Sequence, residues 1–246
     1  MKTIKCLIAG VALVASASAL ATPVNLGGES PDLQTVINNL YTAAGTSLAK
    51  APNVNTNQVV ESGQFQIEAS GGSVSTMVIE VAGNAGTNTF GIYDVSNPSN
   101  FLQLFAGSAA SGGLSFLSVT DTFLFSVAGG GSAQFTGPTF GYYLGTAAGP
   151  TFYSQASLNG GDDHMVAFQG DGDLIKLPTR PAGKWGSSSY IQAWEDVALG
   201  SSDRDYQDMV VYVESVTAVP EPGTVALFGL AGLGLALSRR RKASKK

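Results

Sequence analysis

The sequence predicts a mainly β protein: an antiparallel β-sandwich of jelly-roll type, with one short N-terminal helix and a C-terminal hydrophobic helix. Three observations predict it. Short runs rich in Val, Ile, Phe, Tyr and Thr are separated by Gly, Asn and Ser clusters from residue 63 onward. The N-terminal two-thirds of the body is sparing with charge and hydroxyl-rich, the composition of a β surface that uses Ser and Thr rather than charge. Only one stretch of the body repeats its apolar residues at helical spacing. No long-period repeat and no linker divides the body, so one sizeable core is expected.

The helix is predicted near 31–44. Ser30 serves as its cap, Pro31 suits its first turn, and Leu33, Val36, Ile37, Leu40 and Tyr41 share one face. Strand signals follow. "GQFQIEAS" and "SVSTMVIEV" are separated by a Gly71-Gly72 turn, and "NTFGIYDV" and "FLQLFAG" flank the turn segment "SNPSN". "LSFLSVTDTFLFSVAG" is long enough for two strands hinged at Asp121. "TFGYYLGT", "TFYSQA", "HMVAFQ", "DLIKL", "SYIQAWE" and "DMVVYVESV" complete the set. "QGDGDL" matches one fragment of a calcium-binding nonapeptide repeat, but an Asp-Gly hairpin turn between "MVAFQ" and "LIKL" explains a single copy better.

The two ends read as addresses. In residues 1–21, Lys2 and Lys5 precede the apolar run "CLIAGVALVASA", and "ALA" puts small residues where signal peptidase inspects them. Cleavage is expected after Ala21, leaving a body over 22–218 and a tail over 219–246. Cys6, the only cysteine, leaves with the signal. The mature body then has no disulfide and no thiolate ligand, so its core, bound ions or both must hold it.

The tail reads "VPEPGTVALFGLAGLGLALSRRRKASKK". Its apolar run over 225–237 covers about 20 Å at ~1.5 Å per residue, short of the usual ~30 Å span. Taken as 224–238, with arginines snorkelling, it can still cross a bilayer with its basic end cytoplasmic. Pro220-Glu221-Pro222, the apolar helix and the Arg239, Arg240, Arg241 cluster, in that order, resemble the PEP-CTERM sorting signal. The resemblance implies recognition by exosortase, cleavage near Pro-Glu-Pro and transient inner-membrane anchoring through 224–238. It also implies delivery to the cell surface or the extracellular matrix, in association with exopolysaccharide and biofilm. The other reading is an ordinary C-terminal anchor, which equally places the body outside the inner membrane.

Once the addresses are set aside, residues 22–221 hold five basic residues against 18 acidic ones, a balance of −13. Such a body is not built to bind nucleic acid or anionic lipid through charge. Nine of the 18 acids fall between Asp162 and Asp208. Five of them, Glu195, Asp196, Asp203, Asp205 and Asp208, crowd into "WEDVALGSSDRDYQD" with Arg204 as the one countercharge. Asp203 and Asp205 are two residues apart and can face one point. Glu195-Asp196 ends one strand and Asp208 starts the next, so a hairpin-like return brings them together. Carboxylates without His or Cys suit a hard cation, which favours calcium; a solvated acidic loop is the alternative. Asp162 and Asp163 are weaker ligand candidates.

"FYSQASLNGGDDHMVAFQ" and "YIQAWEDVALGSSDRDYQDMVVYVE", with "NTFGIYD" before them, resemble a secreted bacterial domain of unknown function. The shared features are Leu158-Asn159, Asp163-His164, Glu195-Asp196 and the Asp203–Asp208 stretch entering the last strand. The resemblance covers roughly 88–216 and implies calcium binding and adhesion-like extracellular roles, with no established chemistry. Ser201-Ser202 departs from the glycines usual there.

His164, the only histidine, reads as structural: no Gly-x-Ser-x-Gly elbow accompanies it, and zinc needs more than one such ligand. Trp185, Tyr190 and Trp194 could stack on a sugar, but burial is the default for such residues on strands. The expectation is an exported, non-enzymatic, calcium-associated structural or adhesive protein. The alternative is a secreted carbohydrate-binding protein or glycan-active enzyme built on the acidic cluster. Intact-mass measurement of the exported protein is expected to place its ends near Thr22 and Pro222; finding the 246-residue chain would rule out both cuts.

Overall fold

The computed structural model describes residues 23, 30–59, 62–68, 71–79, 86–146 and 149–220. Ala21 and the signal lie outside the described residues, as do Glu221, Pro222, the span over 224–238 and Arg239, Arg240 and Arg241. Among the described residues no helix is long and apolar enough to cross a membrane.

After α1 (Leu33–Ala44) come β1 (Gln64–Ile67), β2 (Gly72–Ile79), β3 (Thr89–Asp94), β4 (Asn97–Phe105), β5 (Leu114–Val119), β6 (Leu124–Val127) and β7 (Ser132–Gln134). They are followed by β8 (Phe140–Gly145), β9 (Thr151–Tyr153), β10 (Met165–Gln169), β11 (Leu174–Ile175) and β12 (Gly183–Lys184). The last three are β13 (Ser189–Trp194), β14 (Met209–Glu214) and β15 (Val216–Ala218). One sheet runs β15-β1-β8-β3-β4, with β9 also paired to β8; the other runs β10-β13-β14-β2-β5-β6-β7. All the pairings are antiparallel. The chain changes sheet repeatedly, as at β1 to β2 and at β14 to β15, which is the sandwich that the sequence predicts.

The core between the sheets takes alternate residues from each. Phe90, Ile92, Phe140, Tyr142 and Leu144 face Met77, Leu117, Tyr190, Trp194 and Val211 across it. The second sheet is buried on its other face too. There Val166, Phe168, Ile191, Ala193, Val210 and Tyr212 meet the apolar stripe of α1, Trp185 and Ile175. Hence every residue of β13 is buried: a strand covered on both sides loses the polar half of its alternation.

Four details correct the sequence reading. The helix cap is Asp32, not Ser30: the Thr35 backbone N–H donates to Asp32 Oδ1 at 2.6 Å, and α1 ends at Gly45 in the left-handed region. Pro98 lies within β4 rather than in a turn, which the sheet edge allows because an edge strand leaves backbone N–H groups unpaired. The chain around Gly71 and Gly72 crosses from one sheet to the other instead of closing a hairpin. β11 pairs with β12, not with β10, so the Gly172 turn delivers a separate small hairpin.

Candidate metal centre

β13 and β14 pair in register with Trp194 opposite Met209. This pairing sets the ends of the acidic stretch side by side, and the loop between them closes over one end of the sandwich. Side-chain alternation then separates Glu195 from Asp196. Trp194 points into the inter-sheet core. Glu195 leaves on the α1 side, where its Oε1 accepts from the Tyr206 backbone N–H at 2.7 Å. Asp196 faces the first sheet, where its Oδ2 accepts from Asn88 Nδ2 at 2.8 Å. The Asp196 backbone N–H donates to Asp208 Oδ2 at 2.8 Å, tying the two strand ends together.

The structure brings Glu195, Asp203 and Asp205 to one point: one carboxylate oxygen from each lies within 4.8 Å of the others. Oxygens bound to one calcium ion at about 2.3–2.6 Å are at most about 5 Å apart, so the trio has the spacing of a shared ion. Arg204 and Tyr206 produce this convergence. Both are non-glycine residues in the left-handed region, at φ 58° and 56°. Such residues are held there only where the surroundings over-determine them. Here the restraints are Tyr206 Oη donating to the Asp163 carbonyl at 2.6 Å and the Arg204 N–H donating to Ser202 Oγ at 2.8 Å. Ser202 Oγ also bonds Glu195 Oε2. A cleft of about 180 Å³, lined by Asp32, Gln34 and Asn55 among others, opens beside Asp205.

Four of the five acids are buried, and Asp203 is half-buried. Glu195 is 0 % exposed, Asp205 2 %, Asp196 5 % and Asp208 8 %. Burial pushes the Glu195 carboxyl above the usual carboxylate range; Asp205 and Asp203 add to the rise, against hydrogen bonds from Ser202 and Tyr206. Burial likewise pushes Asp208 up to about 8, with Asp196, Glu195 and Asp205 contributing and the Asp196 N–H opposing. The neighbouring charges that act on these two groups are all negative.

Two further oxygens adjoin the acids. Asn88 Oδ1 and Gln207 Oε1 are buried and have no hydrogen-bond partner among the described residues. Their amide nitrogens bond Asp196 and Asp205 respectively. Sequence reasoning missed both, along with Ser202. Asn88 lies 108 residues from its partner, and its only signal was a place in the "NTFGIYD" stretch. The donor set is therefore carboxylate and amide oxygen, which fits a hard cation and not a thiophilic one.

The remaining candidates fall elsewhere. Asp162 is exposed, and Asp163 Oδ1 accepts from the Met165 N–H at 3.3 Å, outside the trio. His164 is buried, stacks on Phe152 with ring centroids 3.8 Å apart, and places Nδ1 3.3 Å from the Glu195 carbonyl. Burial lowers its pKa. Trp185, Tyr190 and Trp194 are all buried and present no face to a sugar.

The last strand bears on the tail. β15 pairs with β1, and the Val219 N–H still donates to the Gln64 carbonyl at 2.8 Å, but Pro220 is exposed. The sheet ends where the tail begins, at residues 218–220. Residues 218–242 match the PEP-CTERM protein-sorting motif. The chain carries a PEP-CTERM sorting signal. This signal implies export with transient membrane passage and recognition by an exosortase. Residues 116–216 match a domain of unknown function, DUF4114. That stretch contains the five acids and His164 but not Asn88 or β1–β4, so the folded unit is larger than the matched domain. No curated protein and no solved structure matches the chain.

Proposed function

We propose that this PEP-CTERM protein is a calcium-binding structural or adhesive component of the cell surface or extracellular matrix, and not an enzyme. The single observation that carries the reading is the convergence of the Glu195, Asp203 and Asp205 oxygens within 4.8 Å while Glu195 is wholly buried. A buried carboxylate surrounded by negative charge is costly unless it is protonated or bound to a cation. Calcium meets the demand through Glu195, Asp203 and Asp205. Asp196 and Asp208 stand beside them, and the oxygen of the Gln207 amide, whose nitrogen bonds Asp205, supplies a further neutral donor. Its effect would be to fix the β13–β14 loop and hence one end of the sandwich. The position of His164, buried and stacked on Phe152, supports a role in packing over proton transfer. The attachment of the sorting signal just past β15 supports work outside the inner membrane, with exopolysaccharide as the surrounding material.

The test is a thermal melt of the exported protein with and without calcium. Asp205→Asn and Glu195→Gln keep size, replace one accepting oxygen by an NH2 group and remove the charge, and are expected to abolish the calcium response. An undiminished response in both variants would move the ion elsewhere. A non-enzymatic role predicts no glycan hydrolysis; cleavage that Glu195→Gln abolishes would contradict it.

A further inference from the structure

The first sheet has a second face. Leu102 and Leu104 of β4, and Tyr142 and Leu144 of β8, point into the core, so Phe101, Gln103, Tyr143 and Gly145 point away from it. On this outer face lies a groove of about 450 Å³, within the ~300–1,000 Å³ range of ligand sites. Phe101 stands at its side, 57 % exposed, where a large aromatic side chain is normally covered. Tyr153 flanks the groove from β9, and Tyr143 forms its floor. Gly91 makes that floor possible. A Cβ there would fall 2.6 Å from the Tyr143 ring, so the ring lies down across β3 in place of a side chain. Phe101 meets Tyr143 edge-on at 5.5 Å.

The polar lining is as informative as the rings. Thr87, Thr89, Ser99, Gln103, Thr146 and Thr151 offer hydroxyls and an amide, and none of the lining residues is charged. This holds in a body whose charge balance is −13 over residues 22–221. Among the described residues, the Gln103 amide and the Tyr143 and Tyr153 hydroxyls make no protein hydrogen bond. A polyanion or a nucleic acid would need cations here. An apolar helix or a second copy of the sheet would need a dry lining, and these hydroxyls and amides would lose water without gaining partners. A sugar chain satisfies both halves. Its C–H faces stack on aromatic rings, and its hydroxyls both donate to and accept from Thr, Ser, Gln and Tyr.

We propose that this groove binds an uncharged glycan, with Phe101 and Tyr153 stacking on sugar rings and Gln103 and the surrounding threonines holding hydroxyls. The site is separate from the acidic centre, although the two share a border. Thr87 and Thr89 line the groove, and Asn88 between them turns inward to Asp196. The proposal does not depend on calcium.

The test is native gel electrophoresis of the full chain in detergent, in gels cast with dextran, laminarin, galactomannan or, as the anionic control, alginate. Retardation by at least one neutral polysaccharide, and not by alginate, is expected. The Phe101→Ala, Tyr153→Ala double variant should weaken that retardation about tenfold or more, since each ring contributes on the order of 1 kcal/mol. Its melting temperature and calcium response should stay near those of the parent. Gln103→Ala, an exposed change that leaves the rings in place, should weaken binding less. Unaltered migration in all three neutral gels would overturn the proposal. So would retardation by alginate alone, or a double variant retarded as strongly as the parent.

Discussion

In the presence of chelator, the melting temperature of the exported protein is expected to fall as pH rises from 7 to 8. Saturating calcium should reverse the loss and raise it by very roughly 5–10 °C. The first part follows from Asp208 and Glu195. Burial raises both carboxyls above their unfolded values, Asp208 to about 8. In the window from about 4 to 8 the native state therefore holds protons that the unfolded state has released, and stability decreases with pH. His164 acts in the opposite sense at lower pH, because burial lowers its pKa from the ordinary 6.5; above pH 7 it is largely neutral in both states and drops out. Calcium replaces those protons. An ion that binds only the native state at a hundredfold excess over Kd adds about 2.7 kcal/mol. In a body of roughly 200 residues each kcal/mol is worth ~2–4 °C. Because ion binding needs ionised ligands, the calcium-induced gain should be larger at pH 8 than at pH 6. Chelator melts that rise between pH 7 and 8 would mean that these acids are already ionised without an ion.

Trp194→Ala is expected to cost about 3–5 kcal/mol, the range for removing a large buried aromatic, and so to lower the melting temperature by roughly 6–20 °C. Trp194 is 0 % exposed, sits in the core between the sheets and meets Phe90 edge-on at 5.9 Å. It is also the last residue of β13, immediately before Glu195. Its loss should loosen the strand end that carries the acids and weaken calcium binding as well. Trp194→Phe should cost far less, because the indole N–H finds no acceptor among the described residues and its removal forfeits no hydrogen bond. Urea unfolding of the three proteins measures both effects. Equal stability of Trp194→Ala and the parent would remove Trp194 from the core.

The strands were legible where one face is polar. "SYIQAWE" and "DMVVYVESV" were legible by their length of apolar and β-branched residues, although both faces are covered. What covers the second face, α1 and Trp185, follows from packing and left no mark in the strands themselves. β7 and β12 were not legible, because Ser132-Ala133-Gln134 and Gly183-Lys184 carry neither alternation nor β-branched residues. The convergence of Glu195, Asp203 and Asp205 was readable from spacing and from the hairpin return. Its geometry was not, because it depends on Arg204 and Tyr206 adopting left-handed backbone that their residue types disfavour. Asn88 reaches Asp196 only through tertiary folding, whereas Gln207 lies within the acidic stretch, where no local pattern distinguishes a ligand amide from a surface one. The glycan groove was missed for a related reason. The aromatics that the sequence offered, Trp185, Tyr190 and Trp194, are core residues, whereas Phe101 and Tyr153 read as ordinary strand residues.

Glu195, Asp203 and Asp205 together are expected to bind calcium. The most direct measurement is calorimetric titration of calcium into the chelator-stripped protein, into Asp203→Asn, Asp205→Asn and into Glu195→Gln, with magnesium as the comparison ion. The parent should bind calcium saturably, respond weakly or not at all to magnesium, which requires a tighter octahedral shell, and both variants should lose the calcium signal. No heat of binding in the parent at millimolar calcium, or an unchanged isotherm in the double variant, would return the stretch to an acidic loop that holds no ion.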